Sequence, residues 1–297
     1  MTKIKKETKA VLATLVVMIL WGSLFPMVKL GFKAYDVSTT GDILLFAGIR
    51  FAVCGIIINL FSLLTKRKFA PAFKNIVPVL SSGVFAIILH YAFTYLALSM
   101  TDGSKTAILK QIGVLFYVCF SALFFKDDKI TLPKIIGVIL GFVGIIAINS
   151  GAGGLTFNIG DAFIILASFC TVFSNVISKK VFKEVDPVVS TGVSQFFGGI
   201  VLLIVGLIMG GSVNLTHSYW IFIYIILAST ISYCMWFTIV KSAELSKLFI
   251  IKFAEPVFAA VFGAFLLGEN ILKWQYLIAF VLISAGISVS NLKNKKA

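Results

Sequence analysis

The chain has 297 residues, of which 59% are hydrophobic and 13% charged, and it carries a net charge of +14. A soluble domain is nearer half apolar and a quarter charged, so this composition excludes a soluble globular fold. The apolar residues gather into runs of about 20, the length that crosses a hydrocarbon core of roughly 30 Å.

In chain order these runs predict ten transmembrane helices, at about 10–32, 43–64, 76–98, 104–125, 130–149, 161–181, 188–209, 219–241, 247–267 and 273–291. They are helices because only a helix or a closed barrel satisfies its own backbone in lipid, and continuous apolar runs lack the alternation of barrel strands. The first run is expected to be retained: Trp21, Pro26 and Lys29 stand where a signal peptide needs small residues. Connections are short and leave no room for a soluble domain. Nineteen basic residues lie before span 1, after span 10, or in and at the edges of the connections between spans 2 and 3, 4 and 5, 6 and 7, and 8 and 9; the opposite ends of the spans hold Lys33, Lys105 and Lys273. The positive-inside rule then places both termini in the cytoplasm, so the basicity is a topology signal and not a nucleic-acid footprint. Cys54, Cys119, Cys170 and Cys234 lie within spans, and His90 and His217 are isolated. No disulfide, metal, nucleotide or other cofactor is expected.

Residues 102–125, DGSKTAILKQIGVLFYVCFSALFF, align without gaps to 244–267, ELSKLFIIKFAEPVFAAVFGAFLL, pairing Ser104/Ser246, Lys105/Lys247, Lys110/Lys252, Phe116/Phe258 and Phe120/Phe262. The register reaches back to Tyr91/Tyr233 and forward to Gly144/Gly286 and Asn149/Asn291. Upstream, FKAYD (32–36) matches FKEVD (182–186), Lys29 matches Lys179, and RF (50–51) matches QF (195–196). Two repeats follow, 1–150 and 151–297. Each has five spans, so the second enters the membrane from the opposite side. Inverted repeats are an architecture of secondary transporters, whose sites lie at the repeat interface near the midplane.

The segments WGSLFPMVK in span 1, GIRF in span 2, YLALSMTDGSKTAIL across spans 3 and 4, and KFAEPVFAAVFGAFLLGE in span 9 carry a resemblance, together with GVILGFVGI and AFVLISAGI in spans 5 and 10. Over essentially its whole length the chain resembles the EamA type of the drug/metabolite transporter superfamily. The resemblance implies a central cavity between the first four helices of each repeat, with helices 5 and 10 peripheral, and it implies no single substrate. One departure is that Gly113-Val114 stands where the second repeat has Glu255-Pro256, so span 4 lacks a helix-loosening proline.

Lys29, Arg50, Lys110, Lys252 and Glu255 fall inside spans, where a charge costs at least ~2.5–3.5 kcal/mol and usually faces water or a partner. Lys110 and Lys252 either snorkel to the boundary or form a pair of cationic contacts for a carboxylate or phosphate; their repeat equivalence favours the pair. Glu255, three residues after Lys252, shares its helix face. It is either an intrahelical partner for that lysine or a proton-coupling carboxyl, and Pro256 beside it should distort span 9. Arg50 snorkels, pairs with Asp42 or faces the cavity. Lys29 and Lys179 are expected to anchor at the boundaries. Tyr91, Tyr233, Trp21, Gln195 and Trp236 complete the expected substrate-binding set, with Tyr95, Gln111 and Asn175 as further candidate lining. Gly137, Gly141 and Gly144 form a small-residue stripe for close packing of span 5.

The expected function is secondary transport of a small polar metabolite with a negative group, an organic anion or amino-acid-like zwitterion, by alternating access. Protons or a counter-substrate would couple it. The alternative is export of hydrophobic or cationic compounds driven by protons through Glu255. An enzyme would need a paired acid and base or a metal cluster and a channel a polar filter, and neither is legible. The expected partners are the bilayer and a small-molecule substrate, the chain being a monomer or homodimer. Richness in Lys, Ile, Phe and Asn points to an AT-rich bacterial genome, and so to the plasma membrane.

Overall fold

The computed structural model describes residues 3–98, 100, 110–149, 158–215, 217–268 and 274–290. Expectations resting on Ser104, Lys105, Lys273, Asn291, the C-terminal lysines and the repeat boundary at 150/151 lie outside the described residues.

The apolar runs form α1 (Lys3–Ala34), α2 (Thr40–Leu64), a short α3 (Ala70–Lys74), α4 (Ile76–Gly83) and α5 (His90–Leu98). A single wide stretch of π-helix, Val84–Leu89, joins α4 to α5. Then come α6 (Ile112–Phe124), α7 (Leu132–Asn149), α8 (Ile159–Val181), α9 (Pro187–Ile208), α10 (Tyr219–Ser242), α11 (Leu245–Ile251), α12 (Ala254–Leu267) and α13 (Trp274–Ser290). Among the described residues seven helices are long and apolar enough to cross a membrane, with α4–α5 and α11–α12 each counted as one, and none of the described residues is a strand. Helix starts follow local chemistry. Thr39 with Asp42 and Asn158 with Asp161 form reciprocal capping boxes at α2 and α8, each satisfying two orphan backbone donors.

Without a hydrophobic drive between helices in lipid, small residues let backbones approach. The α2–α9 crossing shows this: a methyl added at Gly206 would lie 2.5 Å from the Leu45 amide nitrogen, and methyls at Gly48, Gly55 and Gly199 would meet the backbones of Leu203, Phe196 and Ala52. The α7–α13 crossing repeats it. A methyl at Gly137 would lie 2.8 Å from the Gly286 carbonyl oxygen and one at Gly286 2.7 Å from that of Gly137, while the Phe253 ring packs on Gly141. The glycine stripe of span 5 is therefore spent within the chain.

Polar clasps tie the two ends of the bundle. At one, Tyr35 Oη donates to the Ser218 carbonyl at 2.8 Å and the Ser212 amide to Asp42 Oδ1 at 2.7 Å. At the other, Arg67 pairs with Asp186 at 2.7 Å, and Lys179 Nζ donates to the Ala243 carbonyl at 2.5 Å, closing the end of α10. Here too the loop between α6 and α7 buries Asp128. Its carboxylate accepts from Tyr117 Oη at 2.9 Å, Lys134 Nζ at 2.8 Å, and the amide and hydroxyl of Ser246. Lys134 also reaches Glu244 at 3.2 Å. A clasp of this kind joins the first half of the chain to the start of α11.

Candidate functional site

The site begins with two interrupted helices. Pro256 has no N–H for the Lys252 carbonyl four residues back. The Glu255 amide donates to that carbonyl instead, at 3.0 Å, in a tighter turn through Lys252 and Phe253. The expected distortion of span 9 thus falls where the proline's missing donor would have bonded. In α6 the sequence lacked such a proline, yet Lys110 is helical, Gln111 is a turn and the helix resumes at Ile112. The Lys110 carbonyl accepts instead from Ser168 Oγ on α8, at 2.9 Å. Gly113 permits that approach, since a methyl there would lie 2.9 Å from the Ser168 carbonyl oxygen. The helices resume at Ile112 and Ala254, 142 residues apart.

These interruptions bring Lys110 and Lys252 to one carboxylate. Lys110 Nζ lies 3.1 Å from Glu255 Oε1, and Lys252 Nζ lies 3.9 Å from Glu255 Oε2. Glu255 is 4% exposed and Lys252 8%. Buried charges are tolerated when paired, and here both cations share the acid. The lysines also lie over ring faces, Lys110 over Phe25 at 4.9 Å and Lys252 over Trp21 at 4.8 Å. The contact the sequence reading missed is Lys110–Glu255, which joins residues 145 apart.

The trio forms the charged side of a cavity of about 140 Å³, room for on the order of ten waters. Trp21, Tyr91, Tyr233 and Trp236 make its aromatic wall. Tyr91 Oη and Tyr233 Oη lie 3.0 Å apart, so these two matched tyrosines touch. Trp236 Nε1 donates to Asn175 Oδ1 at 2.6 Å, and the Trp21 ring meets Tyr233 edge-on at 5.7 Å and Trp236 at a tilt at 5.1 Å. Of the three fates open to Arg50, the structure shows the cavity. Its Nε donates to Ser229 Oγ at 3.0 Å, and its guanidinium lies 4.8 Å from the Phe51 ring and 5.6 Å from that of Tyr91. Asp42 caps α2 instead.

Two expectations need correction. Gln195, 1% exposed, is not in the cavity wall. The contacts of Gly48 and Gly55 with α9, and of Gly199 and Gly206 with α2, relate these helices by a shift of 151. The RF/QF match uses 145, and six residues at about 100° each turn a side chain to another face. Lys29 lines the cavity and is exposed, because α1 continues past it to Ala34; it is not only a boundary anchor. Residues not singled out are Phe25, His90, Thr94, Thr171 and Ser174, all in the wall. His90 Nδ1 lies 3.0 Å from the Ala167 carbonyl and 3.1 Å from Thr171 Oγ1. Of the further candidates Tyr95 and Asn175 line the cavity, whereas Gln111 is buried at the α6 interruption, outside the cavity wall. Lining residues run toward the end that carries Lys29 and Phe32. Val17, Met18, Tyr117, Phe182, Val240 and Phe249 pack the interior toward the other.

Comparison with known proteins places these features. The EamA-like transporter family matches residues 8–150 and again 158–292. "Uncharacterized transporter YvbV" of Bacillus subtilis (strain 168) is 29% identical over 301 residues, covering 98% of this chain and 93% of the relative. "Uncharacterized inner membrane transporter YedA" of Escherichia coli (strain K12) is 25% identical over 282 residues, covering 92% and 87%. One solved crystal structure superposes with a TM-score of 0.78 at 18% identity, covering 96% of each chain; at that identity the likeness speaks for the fold.

Proposed function

The chain belongs to the EamA-like transporter family, and from that premise we propose that it carries a small organic metabolite with a negative group through the central cavity by alternating access. It is a multi-pass protein of the plasma membrane, with the bilayer and the substrate as its partners. The observation that carries the reading is the meeting of Lys110 and Lys252, 142 positions apart, at one carboxylate on the cavity wall. A lysine is a mobile, strongly hydrated point charge suited to catch and release. In the unloaded cavity Glu255 occupies both ammonium groups. An incoming anion takes its place at one of them as Glu255 takes up a proton or a counter-anion departs, and release of the anion with loss of that proton restores the resting contacts. The basic loops mark the cytoplasmic end, so the cavity described here faces outward, and the Asp128 clasp lies at the closed inner end. The two matches of one family model support a pair of inverted repeats, whose interface is where such sites lie.

Uptake of radiolabelled organic anions into proteoliposomes tests the proposal. Lys110→Ala and Lys252→Ala should each abolish uptake while the protein still elutes as a monodisperse peak. Unchanged transport in both variants would remove it.

The aromatic wall favours a second reading, proton-driven export of hydrophobic or cationic compounds through Glu255. The charges oppose it, since Glu255 is already held by two lysines and Arg50 adds a further cation. Glu255→Gln separates the readings: export of a lipophilic cation should collapse under the second and stay absent under the first.

A further inference from the structure

Building on the anion-carrier reading above, we propose that the substrate is an aromatic-bodied monoanion without an ammonium group, its carboxylate received first by Arg50 on the same cavity wall before it exchanges with Glu255 at a lysine. Arg50 is 2% exposed, and among the described residues it forms no ion pair. The other buried basic side chains, Lys134 and Lys252, each face a carboxylate. One hydrogen bond to Ser229 and the ring faces of Phe51 and Tyr91 offset only part of the cost of burying a charge. A guanidinium on a cavity wall with no internal counterion is completed by an anion from outside. Its planar fork fits a carboxylate bidentately.

The body of the ligand follows from the rest of the wall. Trp21, Tyr91 and Tyr95 present ring surface, with Tyr91 and Tyr95 at 5.5 Å, and offset or edge contacts with an aromatic ligand suit such walls. A cavity of about 140 Å³ takes one ring and a short chain. Four buried polar atoms of the wall have no partner: Thr94 Oγ1, Tyr95 Oη, Ser174 Oγ and Trp21 Nε1. Thr94 and Tyr95 are each 5% exposed. Each of these groups can donate, so they suit acceptor atoms on the ligand, such as the carboxylate or an adjacent carbonyl. Among the described residues the wall offers an ammonium group no unpaired carboxylate. Glu255 is the wall's carboxylate, and both of its oxygens already face lysines.

Three probes that share one body decide the matter: phenylacetate, phenylalanine and phenethylammonium, titrated by calorimetry into the purified protein in nanodiscs, with succinate as a fourth. Phenylacetate should bind at least tenfold tighter than phenylalanine, and phenethylammonium should not bind measurably. Arg50→Gln should weaken phenylacetate at least tenfold, and Arg50→Lys should recover part of that loss. Equal or tighter binding of phenylalanine or phenethylammonium overturns the proposal, as does an unchanged phenylacetate affinity in Arg50→Gln. Should that variant not fold, the comparison of probes on the parent protein decides alone. If succinate binds in a manner that needs Lys110 while phenylacetate does not bind, this inference fails and the anion carrier stands. If only phenethylammonium binds, both fail.

Discussion

Replacing Glu255 by glutamine tests whether one carboxylate holds the buried charge cluster together. At an effective dielectric of about 20, an ion pair at 3.1 Å is worth about 5 kcal/mol and one at 3.9 Å about 4 kcal/mol before desolvation is charged against them. Removing one partner of a buried pair typically costs about 3–5 kcal/mol, because the other charge remains buried and uncompensated. Glutamine keeps the shape and one acceptor oxygen, so the loss should fall at the lower end, about 3 kcal/mol. The two lysines are then left to repel each other. The measurement is unfolding in mixed micelles titrated with SDS, followed by tryptophan fluorescence. The triple variant Lys110→Met, Lys252→Met, Glu255→Gln should recover most of the loss, since apolar replacements for a buried charge cluster are often neutral or better. If Glu255→Gln unfolds within about 0.5 kcal/mol of the parent, a typical surface effect, or if the triple variant recovers nothing, the cluster does not depend on its carboxylate and the reasoning fails.

Gln195→Leu should leave transport untouched and be neutral or stabilising by up to about 1 kcal/mol, because both amide atoms of Gln195 are buried without a partner; lost uptake would return Gln195 to the site. Gly137→Leu should force α7 from α13 against the Gly286 carbonyl and destabilise by about 1–3 kcal/mol or more, read by the same micelle titration. Burial raises the pKa of Asp128, but the bonds from Lys134 and Ser246 outweigh it, and the net shift is downward. An unfolded aspartate titrates near 4. The contribution of Asp128 is therefore full above that pH and is lost as pH falls through the lower folded value. Unfolding between pH 7 and pH 3 should show that acid-labile component in the parent and lack it in Asp128→Asn; identical pH profiles would show that the clasp carries no such linkage.

How much of this site was legible from sequence follows from what each residue costs in a membrane. Lys110, Lys252 and Glu255 stand out because a charge in an apolar run is expensive and because two of them recur at a spacing of 142. The same spacing singled out Tyr91 and Tyr233, whose hydroxyls meet. The same logic misplaced Gln195, because a match of two letters, RF with QF, outweighed a better one nearby. FAGI at 46–49 and FGGI at 197–200 differ by 151, the shift that the glycine contacts of α2 and α9 follow. Glycines at a close crossing record which faces touch, so they are the safer register mark in lipid. The neutral hydroxyls were not legible at all. Thr171 returns its hydroxyl to the Ala167 carbonyl at 3.2 Å, a bond open to threonine and serine in a helix. A threonine in an apolar run therefore costs little and carries no sign of a cavity. Thr94 looks the same in sequence, and only in three dimensions does its hydroxyl lack that bond and line an opening.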